Sequence, residues 1–247
     1  MSLRHWPRPA LATTALATTA LALLAAAAVA GCGASASTSR ARATETAGVA
    51  AATGAKGYTA TQLKDALLTK AGGQRPAAAA QAGDYGTLPD VQTSEQTMKG
   101  VKVTPAKCSE ATVAGFNSAA FSHAPAALVT FRVGRDGVSE VLVSASSQLA
   151  ETALSARLPA GCSHYQATTD GKTFTYTVSQ SIVGGLADQA RALNVKASGY
   201  AQVDVWSVVY RAHGFVGAVT MVGPAASLSG VKTLASQSYS YAGQSLS

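Results

Sequence analysis

YQATTDGKTFTYTVS, residues 165–179, decides the fold of this chain. Its two halves, 165–169 and 172–179, are rich in the β-branched and aromatic residues that suit a pleated, half-buried surface. Between them stands Asp170-Gly171, a dipeptide that accepts the positive φ angles of a type I′ turn, whose twist matches the strands it joins. In the second half Phe174, Tyr176 and Val178 alternate with threonines, so apolar side chains take one face and hydroxyls the other. The spacing predicts a β-hairpin with one buried face.

Working outward, the same signals recur. Residues 128–133 and 138–143 are β-rich runs separated by Gly134-Arg135-Asp136-Gly137, which reads as a hairpin with a four-residue loop. Residues 201–211 and 215–222 form another pair, joined through His213-Gly214. Helices fall between these pairs. Thr59 with Gln62 is a capping box, followed by Leu63, Ala66 and Leu67 on one face up to Gly72-Gly73. Ser147 caps a second helix carrying Leu149, Ala150, Ala153, Leu154 and Leu158, stopped by Pro159 and Gly161. The last helix follows Pro224, buries Leu228, Val231, Ala235 and Tyr241, and ends at Gly243 as its C′ residue. Residues 74–97, with their Pro, Gly and Ala, read as loop. The fold class is α+β: a single antiparallel sheet built from hairpins and flanked by helices.

The amino-terminal end carries a different message. Arg4, His5 and Arg8 precede an uncharged run, residues 10–30, which ends in Val29-Ala30-Gly31-Cys32. This resembles a bacterial lipobox, in which Cys32 becomes the first residue of the mature chain and its thiol carries a diacylglycerol. An uncleaved membrane span of about 20 apolar residues is the competing reading. Thr13, Thr14, Thr18 and Thr19 dilute that run, small residues crowd the cleavage site, and Cys32 stands where lipidation needs it. The expectation is therefore a lipid anchor at Cys32 on the outer face of the cell membrane, with membrane lipid as its partner. Residues 33–57 hold one valine and no aromatic, so they cannot build a core and read as a flexible tether.

The formal net charge is +7, and loss of Arg4 and Arg8 with the leader brings it to +5. These positives are scattered singly, without interleaved aromatics, which argues against nucleic acid and fits attraction to anionic lipid or wall polymers. With Cys32 lipidated, Cys108 and Cys162 are the remaining thiols, and an extracytoplasmic compartment lets them pair as a disulfide. The loop closed is about 55 residues long, and such a closure stabilises by roughly 4 kcal/mol in the chain-entropy account.

Four phrases then carry a resemblance: PAKC at 105–108, LPAGCSHY at 158–165, DVWSVVYR at 204–211, and the strand at 214–223 leading into the last helix. Together with the element order, residues 100–247 resemble small actinobacterial sensor-domain lipoproteins, which are similar to the extracellular sensor domain of the mycobacterial serine/threonine protein kinase H. The resemblance implies an antiparallel sheet flanked by helices, a cleft that receives an extracellular signal, and structural roles for Cys108 and Cys162. It implies no established ligand. That sensor domain carries two disulfides where this chain offers cysteines for one, and with no kinase domain here a signal would pass to a separate partner. The expected division is 1–31 signal peptide, 32–57 lipidated cysteine and tether, 58–99 helix and loop leading into the domain, and 100–247 the sensor-like domain.

Chemistry-bearing patterns are sparse. Of four histidines, His5 leaves with the leader, and His123, His164 and His213 lack the spacing of a metal motif. The nucleophile elbow of esterases is absent, and the 12 acidic residues show no close pair. No catalytic residue, metal or cofactor is assigned. One strand stands out: alternation over 201–211 places Gln202, Asp204, Trp206, Val208 and Tyr210 on one face. If that face lines a cleft, Trp206 and Tyr210 stack on a ligand ring or sugar while Asp204 and Gln202 fix its orientation. If a helix covers it, the aromatics are core. Three functions stay open: a non-catalytic ligand-binding or sensing lipoprotein, a structural lipoprotein docking on the wall or a membrane protein, and an envelope hydrolase.

Overall fold

The structure is a computed structural model that describes residues 57–109, 111, 119–199 and 202–247. Cys32, the expected leader and nearly all of the tether lie outside the described residues. The strands are β1 (Gln81–Asp84), β2 (Lys102–Thr104), β3 (Pro125–Val133), β4 (Asp136–Ser144), β5 (His164–Thr169), β6 (Lys172–Ile182), β7 (Gln189–Gly199), β8 (Val203–Ala212) and β9 (Phe215–Val222). They form one nine-stranded sheet in the order β1-β3-β4-β9-β8-β7-β6-β5-β2, with every neighbouring pair antiparallel. The helices are α1 (Ala60–Asp65), α2 (Pro89–Lys99), α3 (Ala119–Ser122), α4 (Ser147–Ser155) and α5 (Leu228–Ser245). The α+β reading, with its single antiparallel sheet and flanking helices, is the fold observed.

The deciding hairpin forms as its sequence requires: β5 and β6 meet at Asp170 (φ 48°) and Gly171 (φ 71°). The β3–β4 turn is tighter than expected. Val133 pairs with Asp136, leaving two loop residues, Gly134 and Arg135, in place of four. Asp136 joins the strand because its carboxylate is used inside the fold: Oδ1 accepts the Ala225 N–H at 3.0 Å, and the residue is 2% exposed.

Three of the elements that escape the sequence reading, β1, α2 and β7, do so for a physical reason. Residues 74–97 are not a loop: they hold β1, a short 3-10 turn and α2. Gln-Ala-Gly-Asp has no strand propensity, and β1 exists because its backbone pairs with β3, from Gln81 opposite Leu128 to Asp84 opposite Pro125. α2 starts on Pro89 and buries Val91 and Ser94, too narrow a stripe to show as an apolar period. β7 joins β6 to β8, and its run from Ala190 to Val195 is buried throughout, so it lacks the alternation that marks a half-exposed strand.

Helix ends also shift. The Thr59–Gln62 capping box is present, with Gln62 N–H to Thr59 Oγ1 at 3.2 Å and Thr59 N–H to Gln62 Oε1 at 2.9 Å. α1 nevertheless stops at Asp65, and Leu67 and Leu68 are buried from the turn that follows. Ser146, rather than Ser147, caps α4 by accepting the Leu149 N–H at 3.3 Å. α5 runs through Gly243 to Ser245 and buries Leu234, Ser238 and Ala242 as well as Val231 and Ala235.

The sheet has two differently built faces. On the first, α1 and α5 cover β3, β4, β9 and β8 over Val129, Phe131, Leu142, Val208 and Val219. On the second, Val143, Val209, Val216 and Ala218 pack under α2 and α4. Farther along that second face Tyr165, Val178, Val195 and Val205 gather around the Cys108–Cys162 disulfide, whose Cα atoms are 5.3 Å apart. Residues 58–99, expected to lead into the domain, are built into it. Leu63, Ala66 and Leu67 belong to the main core, and β1 is an edge of the sheet.

The disulfide closes a sequence separation of 54 residues between two fully buried sulfurs. Reduction, or Cys108→Ala with Cys162→Ala, is expected to lower unfolding free energy by about 2–4 kcal/mol. Guanidinium unfolding with and without reductant checks this; coincident midpoints contradict it.

Candidate functional site

Alternation along β8 puts Asp204, Trp206, Val208 and Tyr210 on the first face, but the surroundings change along it. Tyr210 is 0% exposed. Its ring lies over Gly217, its partner on β9, where a Cβ would collide with the ring. Phe215 and Tyr239 meet it edge-on at centroid distances of 6.2 Å and 5.9 Å. Trp206 is half-buried and packs against the core at the margin of the helix cover. Asp204 is engaged, accepting from Asn194 Nδ2 at 2.6 Å and lying 3.7 Å from Lys196 Nζ. Gln202 is exposed and precedes the strand. The four residues therefore do not form one accessible surface: helix α5 covers Tyr210 and makes it core.

Beneath α5 lies a group that the sequence reading misses. Glu140 on β4 is 0% exposed, yet it shares strand parity with Val138 and Leu142, the signal that could have marked it as inward-facing. Oε2 accepts the Leu68 N–H at 2.7 Å, and Oε1 accepts the Ser238 hydroxyl at 2.5 Å. Where Glu140 is ionised and that proton is committed, Ser238 Oγ accepts from the Tyr210 hydroxyl, also at 2.5 Å; with Glu140 neutral, either hydroxyl can donate. Burial raises the Glu140 pKa from 4.5 to about 7, against the opposing pull of the Ser238 and Leu68 hydrogen bonds. Burial, aided by the Glu140 charge, pushes the Tyr210 phenol up as well.

Along the exposed side of α5, beside Leu68, runs a shallow, open groove of about 640 Å³. Thr233, Ser236, Gln237, Ser240 and Gln244 supply hydroxyls and amides, and Tyr241 supplies a ring. No lining side chain is charged. The five polar residues recur along one helix face, so the pattern is readable in the sequence once α5 is placed. Leu68 joins the two: it borders the groove, and its amide is held by Glu140. The arrangement offers stacking and neutral hydrogen bonding to a ligand, and Leu68 links it to the Glu140 carboxyl. Among the described residues no three His, Cys, Asp or Glu side chains gather in a way that could hold a metal ion.

The buried carboxyl has a calculable effect on stability. Below pH 4.5 both native and unfolded forms carry it neutral. As pH rises, the unfolded chain releases the proton first and the native form holds it until about pH 7. Stability present below 4.5 is thus lost as pH rises through 7, by about 3 kcal/mol for this group. Glu140→Gln should flatten that fall across pH 4.5–8 and be the more stable form at pH 8. Urea midpoints at constant ionic strength test it, and parallel curves for the two proteins contradict it.

No protein-family model matches the chain, and no curated protein matches it. Among solved structures it is similar to the extracellular domain of PknH from Mycobacterium tuberculosis, with TM-score 0.53, 12% identity, and coverage of 77% of this chain and 100% of that one. A weaker likeness is to a Mycobacterium smegmatis protein, the Rv0999 ortholog, with TM-score 0.41, 15% identity, and coverage of 68% and 85%. At 12% identity what is shared with the PknH domain is the fold, and the similarity expected from residues 100–247 holds at that level.

Proposed function

We propose that this chain is a membrane-anchored, extracytoplasmic lipoprotein whose domain binds a ligand, without transforming it, in the groove between α5 and Leu68. The observation that carries this reading is the groove's lining: hydroxyls, amides, one tyrosine ring and Leu68, with no charged side chain. Such a surface suits a neutral, polyhydroxylated ligand such as an envelope sugar or muropeptide sugar, held by stacking and a few convergent polar groups. The buried disulfide suits an oxidising compartment, and the fold is that of an extracellular domain. No helix among the described residues is long and apolar enough to cross a membrane; in this reading the anchor is the lipid on Cys32.

Docking on the wall or on a membrane protein is the second reading, and one observation favours it. Thr173, Thr175, Thr177 and Ser179 of β6 stand exposed on the first face, beyond the cover of α5. Co-purification with a partner, lost when these hydroxyls are replaced, would decide for docking.

Two experiments test the first reading. In cells fed labelled palmitate, Cys32→Ala should abolish incorporation; labelling that persists refutes the anchor. In a thermal-shift screen of the lipidated chain in detergent, an envelope sugar at about 100 times its dissociation constant stabilises by about 2.7 kcal/mol. The shift should vanish in Tyr241→Ala and Gln237→Ala and survive in Trp206→Ala. Dependence on Trp206 alone would move the site to β8.

A further inference from the structure

Arg191 is a buried cation. It stands on β7 opposite Val209, on the face covered by α4, and is 8% exposed. Nη2 donates to the carbonyl of Ala153 at 3.0 Å. Ala153 lies in the last turn of α4, whose carbonyls have no partner within the helix, so the guanidinium caps the helix and meets its negative end. That structural role accounts for Nη2. It does not account for Nη1, which is buried and has no hydrogen-bond partner among the described residues.

Nor does the surrounding charge account for it. The one acidic residue of α4, Glu151, is taken by Arg211 at 2.8 Å. A second cation stands close by instead. Arg157 is exposed just beyond α4, and the next residue is tied to the sheet, Leu158 N–H donating to Gln180 Oε1 at 3.1 Å. Gln180 is two positions from Ile182, the register partner of Arg191, so this tie holds the Arg157 segment beside the Arg191 strand. Burial first, and the Arg157 charge second, push Arg191 below the ordinary guanidinium range. Two neighbouring cations, one with a spare buried donor, are arranged for a group of opposite sign.

We propose that Arg191 and Arg157 form an oxyanion site at the C-terminal end of α4, with Nη1 of Arg191 as the inner donor and Arg157 as the solvent-side clamp. Guanidinium forks match the geometry of phosphate and carboxylate oxygens, and charge-assisted bonds to them are about twice as strong as neutral ones. The ligand class is a phosphate or carboxylate group, supplied by a free anion or by a lipid headgroup. This site is separate from the groove, which runs along the exposed side of α5 on the opposite face of the sheet.

The test uses the lipidated full chain in neutral detergent. Its thermal midpoint is followed against inorganic phosphate, with chloride at equal ionic strength as reference, and against water-soluble dihexanoyl phosphatidylglycerol. A saturable, phosphate-specific rise is expected. Arg157→Gln should weaken the apparent affinity about tenfold or more, as loss of one charge-assisted bond predicts. Arg132→Gln, an exposed arginine on β3, should leave the response unchanged. Arg191→Gln should abolish the response; because Arg191 also caps α4, Arg157→Gln is decisive if that variant does not fold. A response to phosphate alone identifies a free anion, and a tighter response to the headgroup identifies lipid, each supporting the site when Arg157→Gln removes it. No specific rise with either probe, or an equal rise in Arg157→Gln, overturns the proposal.

Discussion

The buried carboxyl of Glu140 constrains how the first face of the domain is assembled. Taking an acid out of water costs several kcal/mol unless its oxygens are bonded. The bonds to Glu140 come from separate parts of the chain: Leu68 just after α1, Ser238 in α5, and through Ser238 the hydroxyl of Tyr210 on β8. Moving either helix would strip a partner from a group that has no access to solvent. Tyr210 reaches Ser238 because Gly217 leaves the space its ring fills. An apolar core could hold these elements together in several registers; the hydrogen bonds to Glu140 select one.

The rest of the sheet is stabilised by other means. From β3 to β8 helices cover both faces, and the stability comes from burial of Val, Leu and Phe side chains, each worth about 1.5–3 kcal/mol. Toward β5 and β2 the cover thins: the first face shows hydroxyls to solvent, and the second has a small cluster around the disulfide. Cys108 and Cys162 lie inside that cluster, fully buried, and tie the turn after β2 to the residues just before β5. A covalent link thus holds the end of the sheet where there is too little apolar surface to hold it.

What can be read from the sequence follows from where each signal is encoded. The β5–β6 hairpin is legible because turn chemistry and alternation are local, and so is the α1 capping box. β1 and α2 are not, because their stability comes from pairing with β3 and from packing against the second face. β7 is hidden by burial on both faces, which erases a period of two. On β8, alternation assigns faces correctly, yet it does not say that α5 covers Tyr210 and stops short of fully covering Trp206. Glu140 has a legible parity, but its partners lie 72 and 98 residues away, beyond any local pattern.

The buried carboxyl of Glu140 and the buried guanidinium of Arg191 lie on opposite faces of the sheet and are satisfied to different degrees. Glu140 has donors to both oxygens, so the network is closed, and an added ligand atom has nothing there to complete. Its link to the groove runs through Leu68, whose amide it holds and which borders the proposed ligand surface. Arg191 is bonded through Nη2, and its buried Nη1 has no hydrogen-bond partner among the described residues. Satisfying a buried donor recovers a desolvation cost already incurred in folding, about 1–3 kcal/mol, so an arriving oxyanion gains more there than at an exposed arginine. The difference in satisfaction assigns the roles: the closed network fixes how the elements pack, and the open one is where an external group can add to the fold's own bonding.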